Sequence, residues 1–265
     1  MKKYMLLTAL SGAMVLSACG SSEEEASSNG SGSSEEKPML TMGTSADYRP
    51  FEYVDTAQGD EIIGYDIDLA NMIADELGFE FEIIDMEFSG LVTALTNDQV
   101  DFVMAAMTPT AERKENVDFT DVYYVAQDMI ISMDGSGLAT PEDLDGKTVG
   151  VQLGSIQQEY VDGLAEEMDI TVETRNRIPE LMQDVINGRF DAIIVENTVA
   201  QGYLDSNEEL VGETIEVDEQ EAGSAVALQK GSEWTEKFNE VLAELEESGE
   251  LDKLAEKWFD GAAAE

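Results

Sequence analysis

Twice along the chain, short apolar runs alternate with helix-like stretches, and that order limits the fold to a layered α/β class. In the first pass residues 40–44 read as a strand and residues 47–50 as a turn. Residues 64–77 read as a helix, because Ile67, Ala70, Ile73, Ala74 and Leu77 recur at spacings of three and four. Gly78 ends it. Residues 79–85 alternate as a strand, Ser89 stands where it can cap a helix carrying Leu91, Val92 and Leu95, and residues 101–106 form a short buried strand. The order β-α-β-α-β implies a parallel sheet with helices on its faces. The pattern then restarts, with strands at 129–133, 148–151, 170–174 and 190–195 and helices at 155–168, 179–187 and 197–204. A further strand at 225–228 and helical patterns at 234–245 and 251–259 close the chain. Two successive units of one build predict two lobes.

In open α/β sheets, ligands sit beyond the carboxyl ends of the strands. The segments that follow strands are therefore the ones to search. Residues 106–113 are the most informative of them. A buried strand ends there, and Thr110 can cap a short helix whose first turn holds Arg113. Backbone N–H groups and a guanidinium fork so placed suit a carboxylate. Spacing alone leaves open whether Arg113 meets a ligand or one of the chain's many acids. Glu196 ends the apolar strand before it and could meet an ammonium, although spacing alone favours a solvated loop residue. Tyr48, Phe51, Tyr53 and Phe88 lie near strand ends and could flank a ligand stem, although each taken singly suits a core. Asp66 and Asp68 lack the spacing of a calcium loop and read as favourable charges at a helix start. Gly150-Val151-Gln152-Leu153-Gly154 lacks the lysine of a phosphate loop.

Charge narrows the function further. Lys+Arg number 14 against Asp+Glu 58, for a formal net charge of −44. Such a surface repels nucleic acid. With His 0 and Cys 1, histidine-dependent triads, His-ligated metals and internal disulfides are excluded. No metal and no cofactor is expected.

Lys2 and Lys3, the apolar stretch 5–15 and Leu16-Ser17-Ala18-Cys19 describe a secretory signal over residues 1–18. Leu-Ser-Ala-Cys resembles the lipobox, in which the cysteine is lipidated, so Cys19 is expected to anchor the protein outside the cytoplasm on the cell membrane. Residues 19–38 are rich in Gly, Ser and Glu and read as a flexible tether, with folded structure beginning near Met39.

Over the folded part the sequence resembles the extracytoplasmic solute-binding proteins of polar amino acid ABC importers, of the family 3 type. The resemblance is carried by Pro50-Phe51-Glu52-Tyr53, Gly64-Tyr65-Asp66-Ile67-Asp68-Leu69, Phe88-Ser89-Gly90-Leu91 and Thr108-Pro109-Thr110-Ala111-Glu112-Arg113. It continues through Val117-Asp118-Phe119-Thr120, Leu144-Asp145-Gly146-Lys147, Gly188-Arg189-Phe190-Asp191-Ala192 and Lys257-Trp258-Phe259. It implies a type II, periplasmic-binding-protein-like fold: two hinged lobes, each a mostly parallel sheet flanked by helices. Lobe one would comprise residues 39–125 and 223–265, and lobe two 126–222. The crossings would lie near 123–127 and 220–224.

The resemblance also implies a ligand set. Arg113 would clamp the α-carboxylate of an L-amino acid, and the Ala106 carbonyl and Thr108 hydroxyl would meet the ligand's ammonium and carboxylate. Ser155 and the Ile156 N–H would add carboxylate hydrogen bonds, Glu196 would meet the α-ammonium, and Tyr48 and Phe88 would flank the stem. Ser45, Asp47 and Gln152 stand at or near places where this chain departs from its relatives, and they bear on side-chain choice. A polar ligand is expected, basic amino acids ahead of glutamine, delivered by a monomeric receptor to a membrane permease. A dehydratase-like enzyme on the same fold would need a carboxylate or tyrosine as its acid or base. A sensor would need a separate signalling partner.

Overall fold

A computed structural model describes residues 37–56, 59–215 and 223–260. The signal, Cys19, the tether as far as residue 36 and residues 220–222 of the second expected crossing lie outside the described residues. The first half contains β1 (Met39–Thr44), β2 (Asp47–Tyr48), β3 (Glu52–Asp55), β4 (Glu61–Ile63), α1 (Tyr65–Leu77), β5 (Glu80–Asp85) and α2 (Leu91–Thr96). There follow β6 (Phe102–Val103), α3 (Ala111–Asn116), β7 (Val117–Phe119), β8 (Asp128–Met133), β9 (Thr148–Gln152), α4 (Ile156–Ala165) and β10 (Thr171–Arg175). The rest is α5 (Ile178–Ile186), β11 (Ala192–Glu196), α6 (Asn197–Ser206), β12 (Leu210–Thr214), β13 (Ala227–Gln229), α7 (Trp234–Ser248) and α8 (Glu250–Ala255).

The strands form two five-stranded sheets, one per lobe, ordered β5-β1-β6-β13-β7 and β10-β9-β11-β8-β12. The expectation of mostly parallel sheets needs refinement, because both are mixed. In the first, β1 runs parallel to β5 and β6, while β13 is antiparallel to β6 and β7. In the second, β9 runs parallel to β10 and β11, while β8 is antiparallel to β11 and β12. The reason lies in the path. β1, β6, β9 and β11 point their carboxyl ends at the space between the lobes. β8 and β13 are the first strands after a crossing, so they enter from that space and run the other way. At the crossings Tyr123 N–H donates to Ser224 O at 2.9 Å and Ser224 N–H to Tyr124 O at 2.8 Å.

The helices form where the periodicity puts them. α1 buries Ile67, Leu69, Ala70, Ile73 and Ala74, and Gly78 closes it in the left-handed conformation at φ 71. Its start requires Gly64: φ is 143, and a Cβ there would lie 2.1 Å from the Phe51 carbonyl oxygen. Ser89 does not cap α2; it lies within a 3-10 turn, and Gly90 takes the cap position without a side-chain bond. A three-stranded antiparallel sheet, β2-β3-β4, occupies what the sequence suggested was a turn and its surroundings. The first lobe's core gathers Phe79, Phe102, Phe238 and Trp234, with Phe79 stacked on Phe238 at 5.8 Å. In the second, Gly150 lies so close to Phe190 that a Cβ would come within 2.4 Å of its ring. That close approach, rather than phosphate chemistry, accounts for this glycine.

Candidate functional site

A small cavity lies between the lobes at the carboxyl ends of the sheet strands. From the first lobe it is lined by Ser45, Tyr48, Glu52, Phe88, Ala105, Ala106, Thr108 and Arg113. From the second it is lined by Gln152, Ser155, Ile156, Gln157 and Glu196. Ten of the eleven residues of the expected ligand set therefore meet on one wall or the other. Asp47 is the exception.

Arg113 sits where α3 begins. Thr110 caps that helix, its hydroxyl oxygen accepting Arg113 N–H at 3.2 Å. The guanidinium donates from Nη1 to the Thr108 carbonyl at 2.7 Å and from Nη2 to the Gly154 carbonyl at 2.9 Å. It therefore ties the two lobes together while facing the cavity, and it lies 5.3 Å from the Phe88 ring centroid. Burial lowers its pKa to about 10, with Glu159 and Glu112 opposing, so it is a cation at neutral pH. Five N–H donors on a guanidinium leave capacity for an anion beyond these two carbonyl bonds.

Ala106 follows β6 with φ 47, an uncommon conformation for a residue with a Cβ. The Asp66 carboxylate holds it there by accepting Ala106 N–H at 2.9 Å. Ser155 caps α4: its hydroxyl oxygen accepts Gln158 N–H at 3.1 Å, and its proton goes to the Gln152 carbonyl at 2.8 Å. The expected side-chain bond from Ser155 to a carboxylate is thus pre-empted. The Ile156 N–H, first in the helix and without an intrahelical partner by geometry, is left for that task. Gln152 donates from Nε2 to the Asn176 carbonyl at 3.2 Å.

The acidic side of the cavity is where sequence reasoning fell short. Glu196 is only 8% exposed, not solvated, and its Oε2 has no hydrogen-bond partner among the described residues. In the β8–β11 register it pairs with Asp128, and like charges directly opposite repel. Burial pushes the Glu196 carboxyl well above its usual range, and Asp128 and Asp66 add to the shift. Asp128 is raised by burial too, opposed by the amide of Gln157 donating to it at 2.7 Å. Glu52 is 0% exposed, and neither of its oxygens has a hydrogen-bond donor among the described residues. Beside it Asp66, also 0% exposed, accepts the Tyr123 hydroxyl at 2.8 Å. Reading Asp66 only as a helix-start charge is therefore corrected: it is a buried acid that faces another. Asp68 is the one that stays at the surface, bonded to the Trp258 indole N–H at 2.8 Å.

Glu52 lay in a quoted motif without being singled out, and Asp128 was unmarked. Only the strand register could have flagged Asp128. Asp47 points elsewhere. Its Oδ2 accepts Ile178 N–H of the second lobe at 2.9 Å, its Oδ1 accepts the Ser45 hydroxyl at 3.2 Å, and Arg177 lies 3.8 Å away. Asp47 joins the lobes instead of lining the cavity. Among the described residues no group of three or more acids and cysteines is arranged to hold a metal ion.

Comparison with known proteins gives consistent matches across the folded part. Residues 40–261 match the family model of bacterial extracellular solute-binding proteins, family 3. The arginine-binding extracellular protein ArtP of Bacillus subtilis is 51% identical over 263 residues, covering 98% of this chain and 99% of that protein. The structure of an amino acid ABC transporter substrate-binding protein, AbpA of Streptococcus pneumoniae, bound to L-arginine, superposes with a TM-score of 0.79 at 33% identity. That match covers 86% of this chain and 97% of the other. The arginine-, lysine-, histidine-binding protein ArtJ of Geobacillus stearothermophilus superposes at 0.76 with 29% identity, covering 84% and 95%.

Proposed function

Since the chain belongs to the bacterial extracellular solute-binding proteins of family 3, we propose that its interlobe cavity captures a basic L-amino acid, arginine foremost, for an ABC importer. It is a receptor, not an enzyme. The observation that carries the choice of ligand is the pair of buried carboxyls, Glu52 and Glu196, which line the cavity and whose oxygens (both of Glu52, Oε2 of Glu196) no donor among the described residues satisfies. A buried carboxyl without a donor is costly, and a cationic ligand removes that cost. Arg113 and the Ile156 N–H take the ligand carboxylate. Glu196 takes the α-ammonium, with the Ala106 carbonyl and Thr108 hydroxyl beside it, and Glu52 faces the side-chain cation. Tyr48 and Phe88 flank the stem, and Ser45 and Gln152 complete the polar wall.

The lobes divide at residues 125 and 223, with the paired crossings as the hinge. Cys19 carries the lipid that holds the monomer at the outer face of the membrane, and residues 20–38 are its tether. Fractionation of cells into membrane and medium tests the anchor.

Thermal shift across the twenty L-amino acids, ornithine and citrulline tests the ligand. A ligand at a thousand times its Kd adds about 4.1 kcal/mol to stability. Arginine is expected to give the largest shift. Citrulline, which replaces the side-chain cation with a neutral group, should give far less. Stabilisation by an acidic or aliphatic amino acid, with none by arginine, lysine, ornithine or histidine, would refute the reading.

A further inference from the structure

Resting on the basic-ligand reading, we propose that capture is proton-coupled: Glu52 and Asp66 hold one proton between them in the ligand-free protein, and docking of a side-chain cation expels it to solvent. The geometry assigns different parts to the two acids. Asp66 receives Ala106 N–H at 2.9 Å, and the Tyr123 hydroxyl lies 2.8 Å from Oδ1 and 2.9 Å from Oδ2. It is solvated by the protein and suited to be an anion. Glu52 receives no N–H or O–H from the described residues. Asp66 N–H donates to the carbonyl of Phe51, the residue before Glu52, at 2.9 Å, which brings the two acids together, and two carboxyls can share a hydrogen bond only if one keeps its proton. Glu52, lacking donors, is the one that keeps it and lends it to Asp66.

The surroundings push the same way. The charges that reach Glu52 are those of Asp66 on α1, Asp47 on β2 and Glu196 on β11, all of one sign. Of these, Asp47 is partly neutralised by Arg177. The phenols nearby, Tyr48 on β2 and Tyr123 at the crossing, are pushed up by burial and remain neutral. Burial pushes Glu52 well above its usual range and Asp66 to about 7. Two acids that share a site cannot both ionise cheaply.

A guanidinium or ammonium beside Glu52 changes the balance. The Glu52 O–H bond breaks, its electron pair stays as carboxylate, and the proton passes to the buffer. The pair then carries two negative charges, one of them matched by the ligand. The sign follows by linkage. The ligand-free protein binds more protons than the complex, so affinity for the cation rises with pH while the pair is protonated, by up to about tenfold per pH unit for one proton. It levels off once the free pair has ionised. Glu196 is raised as well and can release its own proton to the buffer when it meets the α-ammonium, so the Glu52 contribution must be read as a difference.

Isothermal titration of the full-length protein with L-arginine near pH 6, in buffers of different ionisation enthalpy, counts the protons directly. Wild type should release about one proton more than Glu52→Gln, which keeps the shape and donates an amide N–H to Asp66. Affinity of the variant should lose most of its pH slope. In the wild type, citrulline should likewise release about one fewer proton than arginine, because both bring the same α-ammonium. Arginine binding with the same heat in every buffer, or with equal proton counts in wild type and a folded Glu52→Gln, would overturn the coupling and leave the ligand reading intact. Should the variant not fold, the difference in proton release between arginine and citrulline in the wild type decides: equal counts overturn the coupling. No heat with arginine, but binding of a neutral or acidic amino acid, would overturn the ligand reading and the coupling with it.

Discussion

Arg113 has two tasks at once, and that makes it the most consequential single side chain. Its fork spans the Thr108 and Gly154 carbonyls, one from each lobe, and still faces the cavity. Removing one partner of a buried charge pair costs roughly 2–5 kcal/mol or more. At about 1.4 kcal/mol per tenfold, Arg113→Ala should weaken arginine binding by well over tenfold. Arg113→Lys keeps the charge but cannot hold two carbonyls and a carboxylate with one planar fork, so it should bind poorly as well. Calorimetry on both folded variants checks this, and wild-type affinity in either would remove Arg113 from the site. Arg113 and Glu196 were marked as candidates because each follows an apolar strand, but spacing alone left Arg113 open and favoured a solvated loop for Glu196, and it was the family resemblance that assigned both to the ligand. Glu52 and Asp66 were not so marked, because their meaning is their contact. Glu52 lies on a strand of four residues and Asp66 on a helix, and no local period reports that two acids from different elements meet. Asp47 misled for the complementary reason. A carboxylate near a strand end looks available for a ligand, yet it is taken by a backbone N–H from the other lobe.

At the scale of elements, α4 turns a helix start into part of the binding wall. Ser155 fixes the first turn through Gln158 N–H and the Gln152 carbonyl, and Ile156 follows immediately. Loss of an N-cap costs about 0.5–2 kcal/mol. Ser155→Ala should therefore lower stability by that order in urea titration and also weaken ligand binding, because the Ile156 N–H is no longer held in place. Unchanged affinity in the destabilised variant would show that the N–H does not touch the ligand. Long periodic helices such as α1 and α7 were readable from their spacing. The β2-β3-β4 sheet was not, since strands of two to four residues are shorter than the window over which alternation becomes evident. The antiparallel half of each sheet escaped notice for another reason. Strand direction depends on where the chain re-enters a lobe, and hydrophobic pattern carries no sign.

For the whole molecule, the contacts between lobes are concentrated at the start of α5. Arg177 forks onto Asp85 at 2.9 and 3.2 Å, Ile178 N–H reaches Asp47, and Asn176 donates to Glu87 at 2.7 Å. This strut holds the lobes together independently of anything in the cavity. Arg177→Ala should shift the ligand-free population toward separated lobes. Small-angle scattering would show this as a larger radius of gyration, with ligand restoring the compact value at higher concentration than in wild type. Identical scattering of the two ligand-free proteins would assign the strut no part in closure. The family fold was legible at this scale because many short motifs fall in order along the chain. Which pairs lock the lobes was not, since Arg177 and Asp85 lie far apart in sequence and nothing in either segment marks the other.

The division of labour around the cavity bears on how such a receptor can change its diet. Arg113 reads a group common to every amino acid and fastens the lobes with the same atoms, so altering it forfeits recognition and motion together. Among the described residues the Glu52 side chain makes no hydrogen bond to the strut or to the Gly154 carbonyl. An engineer converting this protein into a sensor for a different amino acid should therefore leave the Arg113 corner alone and rewrite the wall around Glu52. Variants made there can change what is tasted without silencing the movement that reports it.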